Sequence, residues 1–374
     1  MKLLLLVTGG RGGSDFFQGL LDNHSQILQF PGLFNNENIF NILSLKNPDD
    51  ISNEFINTFP NFFNSKFSTS LSKRERHTNL GPKRNKCYKV SKKKFIKNFA
   101  NICNKNKLTK LDILNNLHIA YDISKSKKKK GKKKIVFVHT HIVEFTKRFI
   151  EFMNVKDITI IHTMRNPLSA INSPVKNWLK FEGGKGFLPL SLYFQLDLAF
   201  NGIRDLTKLK KDFFIVQLEK LHWKHKKVMN DFCKIFKIKY EKSLEKTTFI
   251  GLQWWGDKIS KNWISGVNKN FKISIDKNLF YDRDIKFFES LAEDIIKFYK
   301  YDFIFGNINK IYLNLLPLKC ELIVWKNAIK HKKIKHILSI PYFYLKRILL
   351  INKFVIANKY LPYSIGSNSF RRIN

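Results

Sequence analysis

Acidic residues are scarce in this chain. Its 29 Asp and Glu stand against 68 Lys and Arg, for a formal charge of +39. A field of that sign concentrates anions: nucleic acid, an anionic membrane surface or an acidic small molecule. Lys, Asn, Ile and Phe are abundant together, as in the product of an AT-rich genome, so charge alone does not name the partner. Cysteine is sparse as well. Cys87, Cys103, Cys233 and Cys320 are scattered with no C-x-x-C pair. That excludes a zinc ribbon or a dithiol redox motif and fits a reducing compartment. Long apolar runs are missing. Leu3–Val7 is shorter than the roughly 7–15 residues of a secretory h-region, and glycines rather than a small-x-small cleavage site follow it. The expectation is a cytoplasmic protein that opens on a core strand.

Near-continuous aliphatics over Leu3–Thr8 predict a parallel strand covered on both faces. The loop GGRGGS follows. Phe16, Phe17, Leu20 and Leu21 then recur at helical spacing over Ser14–Asp22, with Ser14 or Asp15 at the helix N-terminus. Ile27–Phe30 is the next strand, stopped by Pro31-Gly32. Residues 45–134 read as alternating helical pieces and polar loops, ending in the solvated basic run Lys127–Lys134. Order returns with a strand at Ile135–Val138 that runs into His139-Thr140-His141. A helix at Val143–Met153, strands at Asp157–Thr163 and Phe213–Gln217, and a single closing helix at Asp282–Tyr299 follow. This βαβ alternation predicts an α/β protein with a parallel sheet.

Between strand and helix, GGRGGS has a physical task open to it. Glycines permit positive φ and close approach to a ligand, successive N–H groups form an anion nest, and the helix dipole adds to it. Arg11 contributes a donor fork. The loop is neither GxxxxGK[ST] nor GxGxxG. A second element, TMRNPLSAINS, places Arg165 at the carboxyl end of a strand and Ser173 eight residues later. Open parallel sheets bind ligands at those carboxyl ends, so Arg11 and Arg165 are expected at one edge.

TGGRGGSDFFQGLLDNHSQI together with RNPLSAINS resembles the sulfotransferases that use 3'-phosphoadenosine 5'-phosphosulfate (PAPS). In that family a glycine-containing loop and a leucine-rich helix ending in LLDxHP hold the 5'-phosphosulfate. An Arg-Asn/Asp-Pro element with a serine eight residues after the arginine holds the 3'-phosphate. The resemblance implies a P-loop-like three-layer α/β fold with a central parallel sheet flanked by helices, plus a helical C-terminal extension. It covers residues 1–303, with 45–134 poorly matched as a basic helical insertion, and leaves 304–374 as the extension. It implies that Arg11, Gly12, Gly13, Ser14 and Asp15 hold the phosphosulfate and that Arg165 and Ser173 hold the 3'-phosphate. GLQWWGDKISKNWISGVN resembles the segment that covers the nucleotide, which adds Lys258 and Ser260. Departures are visible. Arg11 stands for a common lysine, Gly12 for a serine, Asp15 for a hydroxyl residue, and Pro174 should bend the helix after Ser173.

The reaction so implied is sulfuryl transfer to an acceptor hydroxyl or amine, on a carbohydrate, lipid-linked glycan or small metabolite, with PAPS as co-substrate and no metal required. Arg11 would stabilise charge on the bridging oxygen. A base must take the acceptor proton. Thr140-His141 lies 24 residues before Arg165, where family members carry Lys-Thr-His, and histidine titrates near neutrality. His141 is the first candidate and Glu37 the second. His139 and His141 alternate as metal ligands on a strand do, but no third ligand is evident in the sequence. His24 reads as a helix-end residue. The C-terminal IPYFYLKRILLINKFVIANKYLPY lacks the about 20 uninterrupted apolar residues of a membrane span. It is expected to pack as a helical extension, with peripheral contact to an anionic inner-membrane surface as a further possibility. The competing functional class is a non-catalytic basic protein on nucleic acid or membrane. No nucleic-acid motif accompanies the charge, so no specific nucleic-acid partner is expected. A kinase-like enzyme is disfavoured by the missing P-loop lysine.

Overall fold

A computed structural model describes residues 1–8, 12–67, 77–103, 108–125, 131–180, 188–209, 211–256, 263–273, 275–305, 315–349 and 362–366. In chain order the first elements are β1 (Lys2–Thr8), α1 (Ser14–Leu21), β2 (Ile27–Gln29), α2 (Asn38–Ile42), α3 (Pro48–Thr58), α4 (Pro60–Phe63), α5 (Lys92–Cys103) and α6 (Lys110–Ser124). Next come β3 (Ile135–Thr140), α7 (Val143–Met153), β4 (Ile158–Met164), α8 (Pro167–Lys180), α9 (Pro189–Thr207) and β5 (Asp212–Gln217). They are followed by α10 (Leu218–Trp223), α11 (His225–Phe236), β6 (Thr248–Phe249), β7 (Leu252–Gln253), α12 (Asp282–Leu291) and α13 (Glu293–Tyr299). The last are α14 (Lys319–Lys330), α15 (Ile334–Leu338), α16 (Ile340–Leu349) and β8 (Tyr363–Ser364).

Six strands make one sheet in the order β2-β3-β1-β4-β5-β8. β1 runs parallel to β3 with Leu4 opposite Phe137 and Leu6 opposite His139. β2 is parallel to β3, and β5 to β8. Leu3–Val7 are buried completely, as continuous aliphatics in a strand covered on both faces must be. The α/β class expected from the alternation is therefore the one found. Because β1 lies between β3 and β4, the connections leaving β1 and β3 depart in opposite directions, and the turn after β1 is a topological switch point.

The chain divides into two compact units. One comprises Met1–Val7, Ser14–Ile161 and Lys220–Lys269; the other comprises Thr8–Gly13, His162–Glu219 and Asn270–Asn374. The first unit has an aromatic core to which residues 45–134 contribute heavily. Phe30 packs on Phe34, Phe55, Phe62, His118 and Tyr121 with ring centroids 4.4 to 5.4 Å apart. Phe59 stacks on Phe62 at 4.9 Å. Each such pair contributes about 0.5–1.5 kcal/mol beyond area burial. The segment that read as a basic insertion is thus core-forming. Its signal was present: Phe55 and Phe59, and Phe95, Phe99 and Cys103, recur every four residues among lysines and asparagines, and all are buried.

His118 sits in this core and donates from Nδ1 to the Leu114 carbonyl at 2.8 Å. Burial lowers its pKa from 6.5 to about 4. Between those values the unfolded chain binds more protons than the folded one. Stability should therefore fall as pH drops from about 6.5 to about 4, by up to about 3 kcal/mol, with no contribution from this ring above that window. Denaturant midpoints measured across pH should show the slope, and His118→Phe should flatten it. An equal slope in the variant would assign it elsewhere.

In the same unit, β6 and β7 form a hairpin turned by Ile250 and Gly251 at φ 52° and 69°. Asp22 Oδ2 accepts from Thr248 Oγ1 at 2.7 Å and from the Gly251 amide at 2.8 Å. The aspartate of LLDNH therefore pins this hairpin to α1. Trp254 is buried edge-on against Phe249, and Trp255 Nε1 donates to the Gly81 carbonyl at 2.7 Å. His24 bears out its structural reading. It donates from Nε2 to the Lys239 carbonyl at 2.9 Å and accepts from the Gln26 amide at Nδ1.

In the second unit, α8 continues through Pro174 to Lys180. The single helix expected over Asp282–Tyr299 is broken at Ala292, whose φ of −96° and ψ of 11° separate α12 from α13. Glu289 of α12 accepts from the Ile304 and Phe305 amides, beyond α13. Arg347 of α16 is buried and donates from Nε and Nη2 to the two carboxylate oxygens of Glu321 on α14, at 2.9 and 3.0 Å.

Candidate functional site

α1 begins at Ser14, directly after the glycine loop. Gly9, Gly10 and Arg11 lie outside the described residues. Gly12 and Gly13 are described, and both must be glycine. A Cβ on Gly12 would stand 2.5 Å from the Thr163 carbonyl oxygen and 2.8 Å from Thr8 Oγ1. Gly13 has a φ of +86° and leaves no room for a Cβ beside Leu218. Gly12 is thus seated on the carboxyl end of β4, two residues short of Arg165. Gly12→Ala is expected to displace this backbone and to cost about 1–3 kcal/mol of stability, as overpacking does. An unchanged denaturant midpoint would mean that the close seating constrains nothing.

The turn after β4 follows from its sequence. Asn166 caps α8 by accepting the Leu168 and Ser169 amides at Oδ1, at 3.0 and 3.2 Å, and Pro167 takes the first helical position. The Asn166 amide is donated to Glu219 Oε1 at 2.7 Å, and Tyr301 donates its hydroxyl to Oε2 at 3.1 Å. Burial raises the Glu219 pKa, an effect opposed by the Asn166 amide and by the nearby Arg165 charge. Arg165, half-buried at this turn, has its guanidinium carbon 6.0 Å from the Phe271 ring centroid. Ser173 is half-buried on α8. The buried acid that braces the turn, Glu219, escaped sequence reasoning because nothing local marks a glutamate at the start of a short helix as a partner for a residue 53 positions earlier.

In the first unit, His139 and His141 stand at the end of β3 against α1. Ser14 Oγ is 3.1 Å from His141 Nε2. The His141 amide is donated to Asn35 Oδ1 at 3.1 Å. His139 is buried, and its Nδ1 is 2.8 Å from Gln18 Oε1. Gln18 donates its own Nε2 to the Phe30 carbonyl at 2.8 Å, so its oxygen faces the ring and Nδ1 carries the proton. Burial first, then the neighbouring His141, holds the His139 pKa well below the usual histidine range. His139 is therefore a neutral ring fixed in one tautomer at neutral pH.

Asp15 completes this group. Its Oδ1 is 3.9 Å from His139 Nδ1, and one donor atom each of Asp15, His139 and His141 lie within 4.8 Å of one another. α1 thus brings a carboxylate beside the two histidines, a grouping the sequence did not reveal. Two imidazoles and a carboxylate are a donor set able to hold a divalent transition metal.

Glu37, the second candidate base, is exposed. Both its oxygens are engaged by Arg148, with Oε2 2.9 Å from Nη1 and Oε1 2.5 Å from Nη2. Lys258 and Ser260 lie outside the described residues.

No protein-family model matches the chain, and no curated protein matches it. Among solved structures, the sulfotransferase domain from the curacin biosynthetic pathway aligns with a TM-score of 0.41 at 13% identity, over 88% of this chain and 97% of that one. The sulfotransferase domain from the Synechococcus PCC 7002 olefin synthase aligns with a TM-score of 0.38 at 14% identity, over 65% of this chain and 75% of that one.

Proposed function

We propose that the chain is a sulfotransferase that moves a sulfuryl group from PAPS to an acceptor hydroxyl or amine. The observation that carries this reading is the seating of Gly12 on the Thr163 carbonyl, at the end of β4 beside Arg165. Two elements that resemble donor-binding motifs, far apart in sequence, are thereby neighbours.

In this reading the Gly12 and Gly13 amides and Arg11 hold the 5'-phosphosulfate, joined by the Ser14 hydroxyl and the Asp15 amide at the start of α1. Arg165 and Ser173 hold the 3'-phosphate, with Lys258 and Ser260 as further donors. His141 is the base. It takes the acceptor's proton as the acceptor oxygen bonds to sulfur and the bond from sulfur to the bridging oxygen breaks. That oxygen leaves on 3',5'-adenosine bisphosphate, its negative charge met by Arg11. The contact of His141 Nε2 with Ser14 Oγ supports this role over that of Glu37, whose carboxylate is engaged by Arg148. The acceptor is a carbohydrate, a lipid-linked glycan or a small metabolite.

His141→Ala should lower kcat about 10²–10⁴-fold while nucleotide affinity stays within twofold. Retention of full turnover by that variant would remove His141 from the chemistry.

A further inference from the structure

The last described helices of the second unit have an unusual outward face. Ile329 at the end of α14, Ile334 and Leu338 on α15, and Tyr342, Leu345 and Leu349 on α16 are 54 to 76% exposed. From Ile334 onward they recur at intervals of four, four, three and four residues. Within α16, Tyr342, Leu345 and Leu349 share one face by helical spacing. The same helix buries its arginine, Arg347, against Glu321. Arg347 is inside, while Tyr342, Leu345 and Leu349 stand outside, even though Phe343 packs 5.9 Å from Tyr193 on α9.

The segment that carries this stripe is basic, although Asp197 of α9 lies near Lys346 of α16. After Glu321 the sequence holds no Asp or Glu to its end, but eight Lys and three Arg. Lys326, Lys330, Lys332, Lys333 and Lys335 are exposed beside the apolar residues. No helix among the described residues is long and apolar enough to cross a membrane.

We propose that α14–α16 form a docking surface for an anionic lipid bilayer, with the apolar stripe entering the interface and the lysines on the headgroups. Exposed aliphatics ringed by lysine are the composition of helices that lie in a membrane surface. A second copy of the chain is disfavoured as the occupant, because it would bring two strongly basic segments together. The proposal stands on this surface alone and is independent of the transferase reading.

The test is co-sedimentation of the full chain with vesicles of phosphatidylcholine alone or with about one-third phosphatidylglycerol, at low salt and at physiological salt. Binding to the anionic vesicles should persist at physiological salt. It should drop at least tenfold in Ile334→Ser/Leu338→Ser/Leu345→Ser and in Lys330→Glu/Lys332→Glu/Lys333→Glu/Lys335→Glu. These side chains are exposed, and unchanged melting temperatures would show that both variants fold. Absence of binding at physiological salt would overturn the proposal. So would binding that the serine variant retains in full, since the charge of the whole chain would then account for it. Conversion of a dimer to a monomer by the serine variant, with no vesicle binding by the parent, would assign the stripe to self-association and overturn the lipid surface.

Discussion

Arg165→Ala is expected to weaken binding of 3',5'-adenosine bisphosphate by roughly 2–5 kcal/mol, about 30-fold at the least, with little change for 5'-AMP. The arginine's backbone is held from several directions. Asn166 gives its amide to the buried Glu219 and caps α8 with its side chain, and Pro167 sets the first helical turn. In the proposed reading, removing the guanidinium from this held turn would leave the 3'-phosphate without its partner. Titration calorimetry with both nucleotides checks this. Equal losses for the two, or no loss, would take the 3'-phosphate away from Arg165.

The second large effect is on stability. Arg347→Ala or Glu321→Ala should each cost about 3–5 kcal/mol, because each leaves an uncompensated charge in an apolar setting. Both residues are nearly inaccessible, Arg347 Nη2 also reaches the Leu316 carbonyl at 3.0 Å, and Glu321 accepts the Leu318 amide at 2.8 Å. The double change Arg347→Met/Glu321→Leu removes both charges together and should recover most of the loss. Trp325 on α14 packs 5.8 Å from Tyr344 on α16 and reports locally on this joint. Urea unfolding followed by fluorescence provides the comparison. Single variants within about 1 kcal/mol of the parent would mean that the ion pair holds nothing.

The elements near the chain's start were legible because their periodicities are clean. Leu3–Val7 is aliphatic throughout and Phe16 to Leu21 repeats at helical spacing, so the strand and the helix were found where expected. Ser14 was legible as a helix start for the same reason. The aromatic core of residues 45–134 was harder, since lysine and asparagine dilute its phenylalanines and no motif announces it. The break at Ala292 was not legible, because alanine favours helix and no glycine or proline in the segment marks it. At the candidate site, Arg165 and His141 were singled out by the resemblance to the sulfotransferase motifs. Asp15 was visible only as an ill-suited neighbour for an anion. Its approach to His139 and His141 depends on α1 lying against the end of β3, which no local pattern encodes. Gln18, which fixes the His139 tautomer, is an ordinary helix residue in sequence and becomes informative only through its bonds to Phe30 and His139.

The measurement that tests the central claim most directly is calorimetric titration of the unaltered chain with 3',5'-adenosine bisphosphate, beside 5'-AMP and ATP. The sulfotransferase reading predicts tight binding that depends on the 3'-phosphate. Equal binding of all three nucleotides, or none, would contradict it and leave the glycine loop and Arg165 without a donor nucleotide to hold.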